Sequence, residues 1–199
     1  MLSINLAKII EYLVRNTPNK FNVNQIARNL KISVGSAYKI LKSLEKKQVL
    51  ISEKIGNGIY YSLNFENKET KNIAELVLMG SRDRSFAENP HASIYAKDLH
   101  EAKKFSKAII LFGSILERKE KDINDVDVLF IIEKGKAKRV EDFCLKLSNL
   151  RPKRVNPLLM TAQDFRNNIK KHDKVITDIL KKGLIIFGED KMLQIIRSV

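Results

Sequence analysis

One cysteine stands among the 199 residues, so no internal disulfide can form, and no Cys/His spacing resembles a zinc site. A lone thiol favours a reducing, cytoplasmic home. Long apolar runs are missing as well. The longest, residues 108–112 and 128–132, fall far short of the roughly 20 residues that span a bilayer, so no membrane partner is expected. The first residues, Met1-Leu2-Ser3-Ile4-Asn5, lack a charged stretch followed by an apolar core, and no secretory signal is expected there. Repeats and low-complexity segments are absent. Acids are scarce beside bases: 23 Asp+Glu face 37 Lys+Arg, a formal charge of +14. Such a surplus most often means a polyanionic partner, though it says nothing of fold. What is present is enough apolar residue, 44%, to exclude wholesale disorder. At roughly 150 residues per domain the length gives one large domain or two small ones.

The surplus is not a tail. Through Asn67 there are ten Lys/Arg and four Asp/Glu, and both halves of the chain are basic. In the first half it concentrates at Arg28, Lys31, Lys39, Lys42, Lys46 and Lys47, which face the single acid Glu45. A solvated helical face is one reading of that run. The surrounding pattern offers another. Ile4, Leu6, Ile9, Ile10 and Leu13 form a helical stripe that stops before Thr17-Pro18-Asn19. Asn22 or Asn24 can cap a short second helix carrying Ile26, Ala27 and Leu30. Ser33 can cap a third, on which Ala37, Ile40, Leu41 and Leu44 recur at i, i+3, i+4 and i+7 and turn inward. The outward face then holds Val34, Gly35, Ser36, Tyr38, Lys39, Lys42 and Ser43, and with the capping Ser33 at its tip it supplies the candidate DNA-binding residues Ser33, Ser36, Tyr38, Lys39, Lys42 and Ser43. It is small and polar where a helix tip can approach base edges, and cationic where phosphates would lie. Residues 49–54 and 59–63 alternate as strands around Gly56-Asn57-Gly58, a turn that tolerates positive φ.

Three helices followed by a hairpin make a winged helix-turn-helix, and residues 32–61 resemble the regulators of the family that includes the multiple-antibiotic-resistance repressors. That resemblance implies double-stranded DNA as a partner; a winged helix used only for protein contacts is the alternative. Residues 68–79 read as a connecting helix ending at Gly80-Ser81. Its Ile73 and Leu76 suit either a second subunit, giving a homodimer, or the following domain. Residues 81–90 read as a polar loop. His91, His100 and His172 are isolated in sequence and read as ordinary histidines.

The second half carries the chemistry. Residues 108–112 suit a buried strand that breaks at Gly113-Ser114, and residues 128–132 suit another. A strand that ends in Gly-Ser and leads into a helix leaves backbone N–H groups free for a phosphate. Asp125 and Asp127, two apart on a strand, emerge on one face. Two converging carboxylates repel unless a cation lies between them, and magnesium, which shares carboxylate and phosphate oxygens, is the natural occupant.

Gly113-Ser114, ten intervening residues, then Asp125-Val126-Asp127 resembles the signature of the minimal nucleotidyltransferases, relatives of polymerase beta, from about Ala108 to Gly188. The resemblance implies that Gly113 and Ser114 hold the triphosphate of ATP or another NTP. It also implies that Asp125 and Asp127 are the catalytic metal ligands for two magnesium ions, and that an acceptor hydroxyl attacks the α-phosphorus. Minimal members that act as antitoxins extend the implication to AMP transfer onto a protein acceptor such as a toxin. Two departures stand beside the match. The family's Arg-x-Arg-Gly run is replaced by Ile115-Leu116-Glu117-Arg118-Lys119, and the third carboxylate's position holds Asn156. Asparagine cannot carry charge or accept the acceptor's proton. Asp164 reads as a cap at the start of the following helix, and Cys144, among Phe143, Leu145 and Leu147, as core rather than nucleophile.

The expected fold class is therefore α+β: a winged helix-turn-helix at 1–67, a connecting helix and loop at 68–95, and a small α/β nucleotidyltransferase domain with a mixed sheet at 96–199. The expected function is a DNA-binding protein with a magnesium-dependent nucleotidyltransferase domain. The alternative is a non-enzymatic transcription regulator whose degenerate domain binds or senses a nucleotide. The remaining positive charge, at residues 136–139, 151–154, 170–171 and 181–182, is expected around the triphosphate site.

Overall fold

The computed structural model describes residues 2–117 and 124–199. Arg118 and Lys119, part of the departure after Gly113-Ser114, lie outside the described residues. The chain divides into two compact units, the first ending at Leu78 and the second starting at Met79.

In the first unit, α1 (Ile4–Arg15) is capped by the Ser3 hydroxyl and buries Ile9, Ile10, Leu13 and Val14. A two-residue strand β1 (Phe21–Asn22) leads directly into α2 (Val23–Leu30). Asn22 is the cap, and with Gln25 it forms a reciprocal capping box. Lys31, in the left-handed region at φ 53°, turns the chain into α3 (Val34–Lys46), whose N-terminus the Ser33 hydroxyl caps from Ser36 N at 3.2 Å. Ala37, Leu41 and Leu44 are buried on α3 and Ile40 is half-buried, as the period requires. The hairpin of β2 (Leu50–Ile55) and β3 (Gly58–Leu63) turns at Gly56, φ +58°, and β1 adds to β3, giving an antiparallel order β1-β3-β2. This is the expected winged helix-turn-helix.

The chain runs on into α4 (Lys68–Glu88), one unbroken helix. The expected stop at Gly80-Ser81 and the loop that follows are corrected here. A single helical glycine costs only about 1 kcal/mol, and the true break falls at Asn89-Pro90. Pro90 opens α5 (Pro90–Leu99) and disfavours helical backbone at Asn89, whose side chain caps the new helix at Ala92 N, 3.0 Å.

The second unit is built on a four-stranded mixed sheet of order β6-β5-β4-β7. A 3-10 turn (His100–Lys104) precedes β4 (Ser106–Phe112), which pairs antiparallel with β5 (Asp125–Ile132) and with β7 (Leu184–Phe187). Helix α6 (Ser114–Glu117) follows β4. Helix α7 (Ala137–Leu150) crosses from β5 to β6 (Arg154–Thr161), and that crossover is what lets these two strands run parallel. Helices α8 (Ala162–Lys170), α9 (Lys174–Lys182) and α10 (Glu189–Arg197) complete the unit. Ile109, Leu111, Val128, Phe130 and Val155 meet Cys144 and Val140 of α7 in the core. Cys144 is 2% exposed and core, and burial pushes its thiol up to about 12, while its neighbour Leu145 is 64% exposed. Asp164 is the third residue of α8 and closes a capping box with Thr161. Among the described residues, no helix is long and apolar enough to cross a membrane.

Candidate active site and exposed third helix

The end of β4 and the start of β5 meet by register: Phe112 pairs with Asp127. Immediately after Phe112 the chain turns at Gly113, φ +76°, and α6 begins at Ser114. Glycine is required here twice over. Its φ is one that other residues rarely adopt, and a Cβ would stand 2.6 Å from Asp127 Oδ2. The backbone of the turn is thus pressed against the carboxylate. Ile115, fully buried, anchors α6 in the core, and its carbonyl accepts from Asn89 Nδ2 at 2.6 Å. Asn89 therefore caps α5 and fixes the turn together; nothing in its sequence context singled it out.

Asp125 and Asp127 emerge half-buried on either side of the fully buried Val126. On the neighbouring strand Asn156 lies in register with Asp127, and its Nδ2 donates to Asp127 Oδ1 at 2.9 Å. The donor set is two carboxylates and an amide presenting its NH2. Among the described residues, no group of three His, Cys, Asp or Glu side chains could hold a metal ion. Two carboxylates are the hard oxygen donors the chain presents here, the chemistry that suits a cation such as magnesium.

Beside the turn opens a cleft of about 390 Å³, walled by Phe112, Gly113, Leu116 and Glu117 on one side and by Val175, Asp178, Ile179 and Lys182 of α9 on the other. That volume lies in the range of ligand pockets. The α9 wall was missed by the sequence reading. Its signal was the i, i+3, i+4, i+7 spacing of residues 175, 178, 179 and 182, which marks one helix face but not what it meets.

Of the second unit's positive charge, Arg154 lies in register with Asp125 on the neighbouring strand, and little of the rest reaches the cleft. Lys182 lines it. Arg151, however, is held bidentate by Asp98, at 2.6 and 2.9 Å, and Lys136 lines a different concavity. Charges adjacent in sequence at the ends of different elements are dispersed by the topology.

In the first unit, α3 presents Tyr38, 51% exposed, with Lys39 and Ser43 exposed beside it. Ser33 is committed to capping, and Ser36 Oγ accepts from Asn5 Nδ2 at 3.4 Å. Lys42 donates to Glu45 Oε2 at 2.8 Å, and Ser52 also donates to Glu45. That arrangement raises the Lys42 ammonium above its ordinary value, the Glu45 bond being the largest cause. It lowers the Glu45 carboxyl, through Lys42 first and Ser52 second. The cationic face is thus part free, part already paired.

Comparison with known families decides the second unit. Residues 96–192 match the model described as Polymerase beta, Nucleotidyltransferase. The second unit is a nucleotidyltransferase-like domain. Among curated proteins, nothing matches the chain. Solved structures similar to it include the adhesin competence repressor AdcR from Streptococcus pyogenes, at 20% identity over 50% of this chain and 67% of that one, TM-score 0.34. Another is ZitR, a zinc-responsive MarR family member from Lactococcus lactis, at 18% identity over 52% of this chain and 76% of that one, TM-score 0.32. A third is the hypothetical protein PyrSV_gp04 from Pyrobaculum spherical virus, at 17% identity over 43% and 54%, TM-score 0.28. The winged helix rests on the elements of this chain, and the nucleotidyltransferase-like domain on the family match and the Gly113–Asp127 geometry.

Proposed function

We propose that the chain is a DNA-binding regulator whose nucleotidyltransferase-like domain takes a nucleoside triphosphate with magnesium and transfers its monophosphate to an acceptor hydroxyl. One observation carries the reading: the Gly113 turn, which lines a cleft of about 390 Å³, is packed against Asp127. In this reading Gly113 and the backbone N–H groups at the start of α6 receive phosphate oxygens, and Ser114 adds its hydroxyl. Asp125 and Asp127 hold one magnesium ion, which when bound supplies neutralising charge at the triphosphate. Lys182, on the opposite wall, adds a further cation. The acceptor oxygen bonds the α-phosphorus, the bond from that phosphorus to the bridging oxygen breaks, and pyrophosphate leaves with the electron pair. The acceptor's proton goes to solvent, because Asn156 stands where a carboxylate would take it. An acceptor on a protein, such as a toxin, fits an open cleft, and ATP is the first nucleotide to try.

The DNA-reading part falls to α3, with Lys39 and Tyr38 outward, Ser43 beside them and the wing alongside. Ser33, Ser36 and Lys42 support that face through capping and pairing. A second copy of the chain would pair through α4, where Leu76 and Met79 are 61% and 37% exposed one turn apart.

A second reading is favoured by the Asn156–Asp127 hydrogen bond: the domain binds magnesium and nucleotide without transferring it, and signals occupancy to the DNA-binding unit. Incubation with each α-labelled ribonucleotide, with and without magnesium, separates the two. The enzyme gives magnesium-dependent label on an acceptor that vanishes in Asp125→Ala and Asp127→Ala. Nucleotide binding without label on any acceptor supports the sensor.

A further inference from the structure

At the end of β4 opposite Gly113, a concavity of about 220 Å³ is walled by Lys103, Lys104, Lys107 and Lys136, with Ser106 and Glu133. Six residue steps along β4 separate Ser106 from Phe112, about 20 Å at 3.3 Å per residue, so this is not the nucleotide cleft. Three independent features converge on it.

The first is charge. Four lysines meet one acid, Glu133, whose Oε1 lies 3.3 Å from Lys107 Nζ. The acids further along α7 are Glu141 and Asp142, and Asp142 is engaged by Lys138 at 3.1 Å. The second is the Ser106 hydroxyl. Ser106 is 8% exposed, and its Oγ, alone among the buried side-chain polar atoms described, has no hydrogen-bond partner. Buried hydroxyls are ordinarily satisfied, so this one awaits an acceptor. A bulge sets it there: Ser106 pairs with Ile132 and Ala108 with Ile131, leaving Lys107 out of register. The third is the start of α7. Lys136 occupies its cap position, gives no side-chain cap, and the first turn holds no acid. Arg139 and Val140 N–H donate to the Lys136 carbonyl, so the first two N–H groups of a 14-residue helix are left beside the lysines with no acid in their own turn.

We propose that this concavity binds a small phosphate-class anion, whether inorganic phosphate, pyrophosphate or the phosphate end of a small molecule. The shared chemistry is a compact polyanion with acceptor oxygens. The lysines neutralise it, the α7 N–H groups donate to it, and the Ser106 hydroxyl donates from the floor. A row of solvated lysines meeting a nucleic-acid backbone would have no use for a hydroxyl at that depth. The assignment does not rest on the nucleotidyl-transfer reading.

The test is titration of the full chain with inorganic pyrophosphate in magnesium-free buffer, followed by backbone amide resonances. Saturable shifts at residues 103–107 and 136–139 are expected. Lys103→Gln/Lys104→Gln, on the surface, and Ser106→Val should each weaken binding about tenfold, while Lys8→Gln leaves it unchanged. Repeating with orthophosphate and with a ribose 5-phosphate identifies which source binds tightest. Shifts confined to residues 113–117, binding unaltered in the double lysine variant, or a response to single-stranded DNA but to none of the small anions would each overturn the proposal.

Discussion

Asn156 Nδ2 donates to Asp127 Oδ1 at 2.9 Å across the parallel pair of β5 and β6. The bond does two things at once. It satisfies one oxygen of a carboxylate whose other oxygen lies against the Gly113 turn, and it spends that oxygen on the protein rather than on a cation. Asn156→Asp replaces the donor with a third carboxylate. The expected result is magnesium-dependent label incorporation raised at least about tenfold, within the range of a positioned general base. The same variant should melt lower than wild type without magnesium and recover with it, because three carboxylates repel until neutralised. Thermal melts with and without the ion check the second point.

Two glycines should answer differently to alanine. Gly113→Ala places a methyl 2.6 Å from Asp127 Oδ2 at φ +76°, and should cost about 1–3 kcal/mol along with most nucleotide affinity. Gly35, on α3 with nothing within 4 Å of a built Cβ, should gain up to about 1 kcal/mol as alanine. Denaturant unfolding of both variants measures this.

The lysines of α3 are not equivalent. Lys39→Gln should reduce the slope of log affinity for duplex DNA against log salt by about one. Lys42→Gln should reduce it less, since Glu45 already balances that charge at 2.8 Å. Equal reductions would mean that Lys42 leaves Glu45 on binding.

Glu45 also sets a pH dependence. Its carboxyl is held below the ordinary value by Lys42 and Ser52. A depressed folded value makes the contribution present above the unfolded carboxylate range and lost as pH falls through the folded value. Glu45→Gln should therefore flatten the acid side of the first unit's stability curve, an effect weakened by salt. Unchanged acid sensitivity in the variant counts against the pairing.

Cys144 gives a simple check on the core of the second unit. With its thiol pushed up to about 12 by burial, it should resist alkylation at pH 8 in the folded protein and react in denaturant. Rapid labelling of the native chain would contradict its placement.

Local signals carried much of this architecture. Ser33 and Asn22 announce their helices because capping is decided within four residues. That Asp125 and Asp127 share one face of β5 was legible because strand alternation is local. Gly80 misled for the converse reason: the residues flanking it keep a helix going that a lone glycine only weakens. The α9 wall of the cleft and the Arg151–Asp98 pair depend on contacts across many residues, which no spacing reveals. The third-strand position was legible as an asparagine, but its donation to Asp127 needed the β5–β6 register.

The central claim is that Asp125, Asp127 and Gly113 form one magnesium-nucleotide site, which both functional readings share. Calorimetric titration with ATP, GTP, CTP and UTP, each with and without magnesium, tests it on wild type and Asp127→Ala. Binding of at least one nucleotide that strengthens with magnesium, and loses that strengthening in Asp127→Ala, is the predicted result. No nucleotide binding at all, or binding whose magnesium dependence survives Asp127→Ala, would contradict it.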